Sequence, residues 1–286
     1  MAVTSSGVLS GKTVIAVSAG NSHSLALCSD GTVAAWGLNT NGQLGNNSTA
    51  QSTVPVTVTT SGALSGKTVT AVSAGGSHSL TRCSDGTVAA WGLNSYGQLG
   101  SSSLTQSTVP IAVSVSSNAL TGKTVSMVAS GQNHSAAVCS DGTVAMWGSN
   151  SNGQLGNGAA FLFPVPTPGT TTGTPLDGKT LIAHAAGGGH SLGLCSDGTL
   201  AAWGSNFNGQ LGNNATASSG SVPVAVTTSG VLSGKTVIAV SAGNSHSLAL
   251  CSDGTVASWG LNTNGQLGNN STTQSTVPVA VITSGI

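Results

Sequence analysis

Charge is scarce in this sequence: six bases and six acids among 286 residues, 4% of the chain, with no glutamate and a single arginine, Arg82. A typical soluble domain carries about 25% charged residues. Proteins that neutralise nucleic-acid phosphates need clustered Lys and Arg, whereas here the lysines are spread one per repeating unit, so no nucleic-acid partner is expected. The same sparsity argues against a membrane surface. No run approaches the roughly 18 apolar residues of a spanning helix. Met1–Gly20 has no basic segment ahead of an apolar one, so neither a span nor a signal peptide is expected in this chain. Paired glutamates for acid–base chemistry are missing altogether. Aromatic residues other than tryptophan number four, one Tyr and three Phe. The compartment stays open, because sequons such as Asn47-Ser48-Thr49 arise by chance in a chain this rich in Asn, Ser and Thr.

What the chain has instead is repetition. Trp falls at 36, 91, 147, 203 and 259, with spacings of 55, 56, 56 and 56, and His (23, 78, 134, 190, 246) and Cys (28, 83, 139, 195, 251) keep the same intervals. Five units of about 56 residues, near 6–61, 62–117, 118–173, 174–228 and 229–286, fill what reads as a single domain over 1–286. Units 1 and 5 differ at only four aligned positions: Ala35/Ser258, Ala50/Thr273, Thr57/Ala280 and Thr59/Ile282. Such copies come from recent amplification or deliberate assembly, so recurrence by itself marks shape before activity.

Within a unit, Thr13–Ala19 and His23–Ser29 are short apolar runs separated by Gly20-Asn21-Ser22, and Asp30-Gly31 leads into Thr32–Trp36. They read as three antiparallel strands, the Asp-Gly pair suiting a two-residue type I′ hairpin. A Gly- and Asn-rich loop then reaches Val54–Val58, whose Pro55 cannot donate to a ladder and so belongs on an edge strand. Strict alternation puts Val14 and Ala16 on one face and Ile15 and Val17 on the other, so both faces must be buried. Four-stranded sheets covered on both faces and repeated in tandem predict an all-β propeller of five four-stranded antiparallel blades. The alternative is an open segment of a larger propeller or array. Ala2–Gly7 aligns with Ala280–Gly285, which favours five whole units and a sealed ring.

The string AGNSHSLALCSDGTVAAWGLNTNGQLG resembles the RCC1 repeat (regulator of chromosome condensation), with Gly, His-Ser, Asp-Gly-Thr-Val, Trp-Gly and Gly-Gln-Leu-Gly in that family's order in all five units. The resemblance implies an RCC1-like propeller, which in known members usually has seven blades. It also brings the family's activities as an alternative function: guanine-nucleotide exchange on a small GTPase, or inhibition of a secreted enzyme. No exchange residue carries over, because the shared motif is the scaffold.

Several motifs invite chemistry. Gly173–Thr180 matches G-x-x-x-x-G-K-T, but a strand is expected straight after it where a P-loop needs a helix. His23 and Cys28 lie five apart on one strand and point to opposite faces, so they are expected to be a turn-bonded His and a buried Cys rather than a nucleophile–base pair. The Cys residues sit on separate blades as free thiols; in an open array, Cys28 or Cys251 should be the more accessible. Trp at one position per unit is expected between blades. Lys12 and Asp30, and their four counterparts, are placed opposite one another, and Arg82 is expected to reach toward Asp85. No catalytic, metal or cofactor site is expected.

Function in a copied scaffold should sit where copies diverge. Tyr96, Phe161, Phe163 and Phe207 are such departures, all between the third and fourth strands of their units, on an uncharged rim opposite the Asp-Gly turns. They are the candidate partner-binding residues of a monomeric, non-catalytic scaffold that binds protein.

Overall fold

The computed structural model describes residues 7–116, 118–216 and 219–283; Ala2–Ser6 and Ser284–Gly285, and hence the terminal alignment, lie outside them. The described residues form five four-stranded antiparallel sheets, each with its strands in chain order. In the first blade these are β1 (Val14–Ala19), β2 (His23–Cys28), β3 (Val33–Gly37) and β4 (Ser52–Thr57). Short 3-10 turns such as Gly62–Leu64 link successive blades. The fold is an all-β five-bladed propeller, with Pro55 on an edge strand as its missing N–H requires.

Two local expectations are corrected. The Asp-Gly turn is a three-residue loop, not a type I′ pair: Gly31 N donates to Cys28 O at 3.0 Å, and Gly31 alone takes a positive φ, 83°. Asp30 stays right-handed because its Oδ1 accepts from Thr32 N at 3.0 Å, which leaves Gly31 to absorb the left-handed step. Second, β1 carries a bulge: Val14 pairs with Cys28 and Ala16 with Leu27, so Ile15 has no partner. The extra residue turns Ile15 out to solvent, as its counterparts Ile182 and Ile238 are, and brings Val14 and Val17 onto one face.

Each blade therefore has two distinct faces. One carries Val14, Val17, Ser24, Cys28 and Trp36 (the Trp face); the other carries His23, Leu25, Leu27, Val33 and Ala35 (the Leu face). The chain divides into two compact units, Met1–Ser149 with Leu162–Pro168, and Asn150–Phe161 with Gly169–Ile286. In the first, Leu25, Leu27 and Leu44 of blade 1 pack on Val69, Cys83 and Trp91 of blade 2, and Leu80 and Leu99 of blade 2 pack on Val125, Cys139 and Trp147 of blade 3. In the second, Leu192, Leu194 and Leu211 of blade 4 pack on Val237, Cys251 and Trp259 of blade 5.

The end blades break this pattern. Val14 is 41% exposed, where Val69, Val125 and Val237 are buried, and Val17 is 74% exposed, where Val72, Val128 and Val240 are half-buried. At the other end Leu250 is 38% exposed, where Leu27, Val138 and Leu194 are buried.

Candidate functional site

The long loops between third and fourth strands are built around one asparagine. Asn39 is fully buried; its Oδ1 accepts from Leu44 N at 2.9 Å, while its Nδ2 donates to Ser48 O and Ala50 O, both at 2.9 Å. Gln43 Oε1 accepts from Asn41 N at 2.9 Å. Asn94, Asn150, Asn206 and Asn262 repeat the arrangement. With backbone groups bonded within the loop and, as for Asn47 N to Thr108 O at 3.0 Å, to the next blade, each loop is a stiff platform.

The candidate aromatics stand on these platforms. Tyr96 takes the place of Asn41: its N donates to Gln98 Oε1 at 2.9 Å, and its side chain is 42% exposed. Phe207, one position earlier in its loop, is 60% exposed, and Phe161 is 66% exposed. Phe163 begins the outer strand of blade 3, Phe163–Pro168, and is half-buried. Within the first unit the structure brings Tyr96 close to Phe163. The neighbouring Gly97 lies so near Pro164 that a Cβ there would stand 2.5 Å from Pro164 Cα, and Ser102 N donates to Pro164 O at 3.1 Å. None of the loops on this rim contains a charged residue.

Recurring residues that invited chemistry are instead joined across blades. His23 Nε2 meets Ser79 Oγ of the next blade at 2.9 Å, Ser79 Oγ donates to Gln43 O at 2.9 Å, and Trp91 Nε1 donates to the same carbonyl at 2.8 Å. Since the hydroxyl proton goes to Gln43 O, the His23 contact is an Nε2–H donor to Ser79 Oγ. His78 with Ser135, Gln98 and Trp147 repeats this, as does His190 with Ser247, Gln210 and Trp259. The expected turn-bonded His is thus an inter-blade clasp. The signal was present in sequence, because a Ser follows His in every unit. Burial lowers the imidazoles of His23 and His190 to about 4 and that of His78 to about 3. The sixth histidine, His184, stands where other blades have Val; its ring lies 5.5 Å from that of Trp203, and burial holds it near 4.

The Lys–Asp pairs form in all five units, for example Lys179 Nζ to Asp197 Oδ2 at 2.7 Å and Lys235 Nζ to Asp253 Oδ2 at 2.5 Å. Arg82 takes part in no ion pair among the described residues. Gly173–Thr180 leads into the strand Leu181–Ala186, so no helix N-terminus faces a phosphate there. Among the described residues no group of three or more His, Cys or Asp could hold a metal ion.

All five cysteines are buried and unbridged. The expected difference at the ends is absent. Cys251 lies on the face that blade 4 covers, and Cys28 is shielded by Leu9 and Ala34 although its sheet face is open. Burial raises every thiol pKa, and the following Asp carboxylate adds to it. All five should therefore resist a thiol reagent until the protein unfolds. Fast labelling of any one under native conditions would contradict this burial.

Matches to the Regulator of chromosome condensation (RCC1) repeat cover residues 30–81, 85–138, 141–194, 197–250 and 253–285. The chain belongs to the RCC1 repeat family. Among curated relatives, the probable E3 ubiquitin-protein ligase HERC6 of Homo sapiens is 35% identical over 95% of this chain and 26% of its own length. The ultraviolet-B receptor UVR8 of Arabidopsis thaliana is 35% identical over 88% of this chain and 54% of its own. The chain thus spans between a quarter and about half of these relatives. Human WBSCR16 superposes with a TM-score of 0.82 at 26% identity, over 96% of this chain and 68% of that one. Yeast RCC1 (Prp20), solved bound to Kap60, shares the fold with a TM-score of 0.81 at 24% identity, over 96% and 62%.

Proposed function

We propose that this RCC1-repeat propeller is a non-catalytic protein-binding module that engages its partner through the aromatic rim. The observation that carries this reading is the exposure of Tyr96, Phe161 and Phe207 on stiff loops without a single charge. Exposed aromatics fixed in place lose little entropy on binding and are typical interface anchors. Among the described residues His23, His78 and His190 are engaged in inter-blade clasps and all five thiols are buried, which supports a binding reading. Yeast RCC1 (Prp20), which shares this fold, is a protein solved bound to Kap60.

The test is affinity capture by the chain with Phe161→Ser plus Phe163→Ser, and separately with Tyr96→Ser plus Phe207→Ser. Captured partner should fall at least ~ten-fold, about 1.4 kcal/mol or more, while Lys123→Gln on the opposite rim should change nothing and circular dichroism should stay native. Undiminished capture by both rim variants would rule this rim out. Nucleotide release from a small GTPase is expected to be unaffected by the chain, and acceleration would favour the exchange-factor reading.

A further inference from the structure

Every acid in this chain is an aspartate followed by glycine, six pairs in all, and five asparagines precede glycine as well. These pairs share one spontaneous reaction. The glycine amide nitrogen attacks Cγ of the preceding side chain, its proton passes to solvent, and water leaves from Asp or ammonia from Asn as a five-membered succinimide closes. Water then opens the ring at either carbonyl, giving aspartate or its isomer isoaspartate, in which the main chain runs through Cβ and Cγ. Glycine permits the attack because no Cβ stands in the way. What controls it is whether the glycine nitrogen is free to move.

The fold ties down ten of the eleven glycine nitrogens. Gly31 N donates to Cys28 O at 3.0 Å, and the Asp-Gly turns of the other four units repeat the bond. Gly42 N donates to Asn39 O at 2.8 Å, with the same bond at Asn152-Gly153, Asn208-Gly209 and Asn264-Gly265, and Gly158 N reaches Ser221 O at 2.9 Å. The carboxylates of the five repeat turns are held a second time, by lysine. Those hydrogen bonds keep Asp30, Asp85, Asp197 and Asp253 ionised down to about 2, and the anion resists ring closure because the departing oxygen must first be protonated.

Asp177-Gly178 has neither restraint. Gly178 N donates to no carbonyl among the described residues, and Asp177 takes part in no ion pair among them; its carboxylate accepts only from Gly173 N, at 2.9 Å. Both residues are exposed, and Gly178, at φ 68°, has open space where a Cβ would stand. The other units make the same turn at Gly11, Gly66, Gly122 and Gly234, each at φ 69°, but precede it with Ser or Thr, which cannot form the ring.

We propose that Asp177 is the position at which the folded protein converts aspartate to isoaspartate. The isomer adds one methylene to the main chain between Leu176, which is buried, and Lys179, the partner of Asp197.

The test is prolonged incubation of the whole chain at pH 7, then digestion and mass spectrometry with isoaspartate placed by electron-transfer fragmentation. Isoaspartate should accumulate at Asp177 at least about ten-fold faster than at any of the five repeat aspartates, the rate equivalent of one backbone hydrogen bond that need not break. Asp177→Asn gives a second readout: the folded variant should lose ammonia at this position at least about ten-fold faster than at Asn41 or Asn208. In urea both contrasts should disappear. Asp177→Ser, which installs the residue of Ser10, Ser65 and Ser233, should keep native circular dichroism and remove the isoaspartate. Isomerisation at Asp177 no faster than at the repeat aspartates would overturn the proposal. So would ammonia loss from the Asp177→Asn variant no faster than at Asn41, or a contrast that survives unchanged in urea, since sequence rather than fold would then set it.

Discussion

Trp147→Ala is expected to destabilise the protein by roughly 3–5 kcal/mol. Trp147 is fully buried among Leu80, Leu99 and Val125, at the joint between blades 2 and 3. Its Nε1 donates to Gln98 O at 2.9 Å, an acceptor that Ser135 also uses. Truncation therefore opens a cavity and removes one of the two donors of a buried carbonyl, beside Gly100 at φ 65°, where a Cβ would stand 2.8 Å from Trp147 Nε1. The same change at Trp36 should cost under about 2 kcal/mol, because a half-buried side chain with no hydrogen bond among the described residues loses far less. Urea denaturation of the two variants measures the difference. Equal losses would mean that the Trp face of blade 1 is covered in solution.

Mild acid is expected to have the second large effect. Each clasp histidine is neutral when folded and titrates near 6.5 once unfolded, while burial holds His190 and His23 at about 4 and His78 at about 3. Between those values the unfolded chain binds more protons than the folded one. Stability is therefore complete above pH 6.5 and falls as pH drops toward 4. One fully buried histidine shifted from 6.5 to about 4 accounts for roughly 3 kcal/mol. Several acting together are large against a total stability of about 5–15 kcal/mol. The carboxylates do not contribute in this window, since the hydrogen bond from Lys12 holds Asp30 near 2 and that from Lys67 holds Asp85 there too. Urea midpoints at pH 7 and pH 5 should differ widely for the wild type. The gap should narrow for His78→Gln, which is less stable at neutral pH but has one proton fewer to take up. An unchanged gap would mean that the clasp histidines do not govern acid unfolding.

Much of this architecture is written locally. Repeat length, strand count and edge prolines follow from spacing and from what proline cannot do, and the Lys–Asp pairing follows from two strands read as a hairpin. Which loops share an end of a blade is legible for a similar reason: strand alternation decides it, whatever the sheets later pack against. Two local readings failed where side chain and backbone act together. Strict alternation put Val14 and Val17 on opposite faces, and only the unpaired Ile15 unites them. Asp-Gly suggested a tight two-residue turn, but the Asp30 carboxylate caps Thr32 N and lengthens it.

The sequence by itself determined the blade, because a strand's neighbours within a sheet lie close along the chain and their turn chemistry is local. Tertiary structure decided what each blade's faces meet. His23 and Ser79 are 56 residues apart, and nothing in either unit read alone says that one clasps the other. Nor can residues that recur in every unit reveal which of their faces stay uncovered. Val14 and Val69 occupy the same position in the repeat, yet one is open to solvent and the other buried, because only the second has a Leu face packed on it.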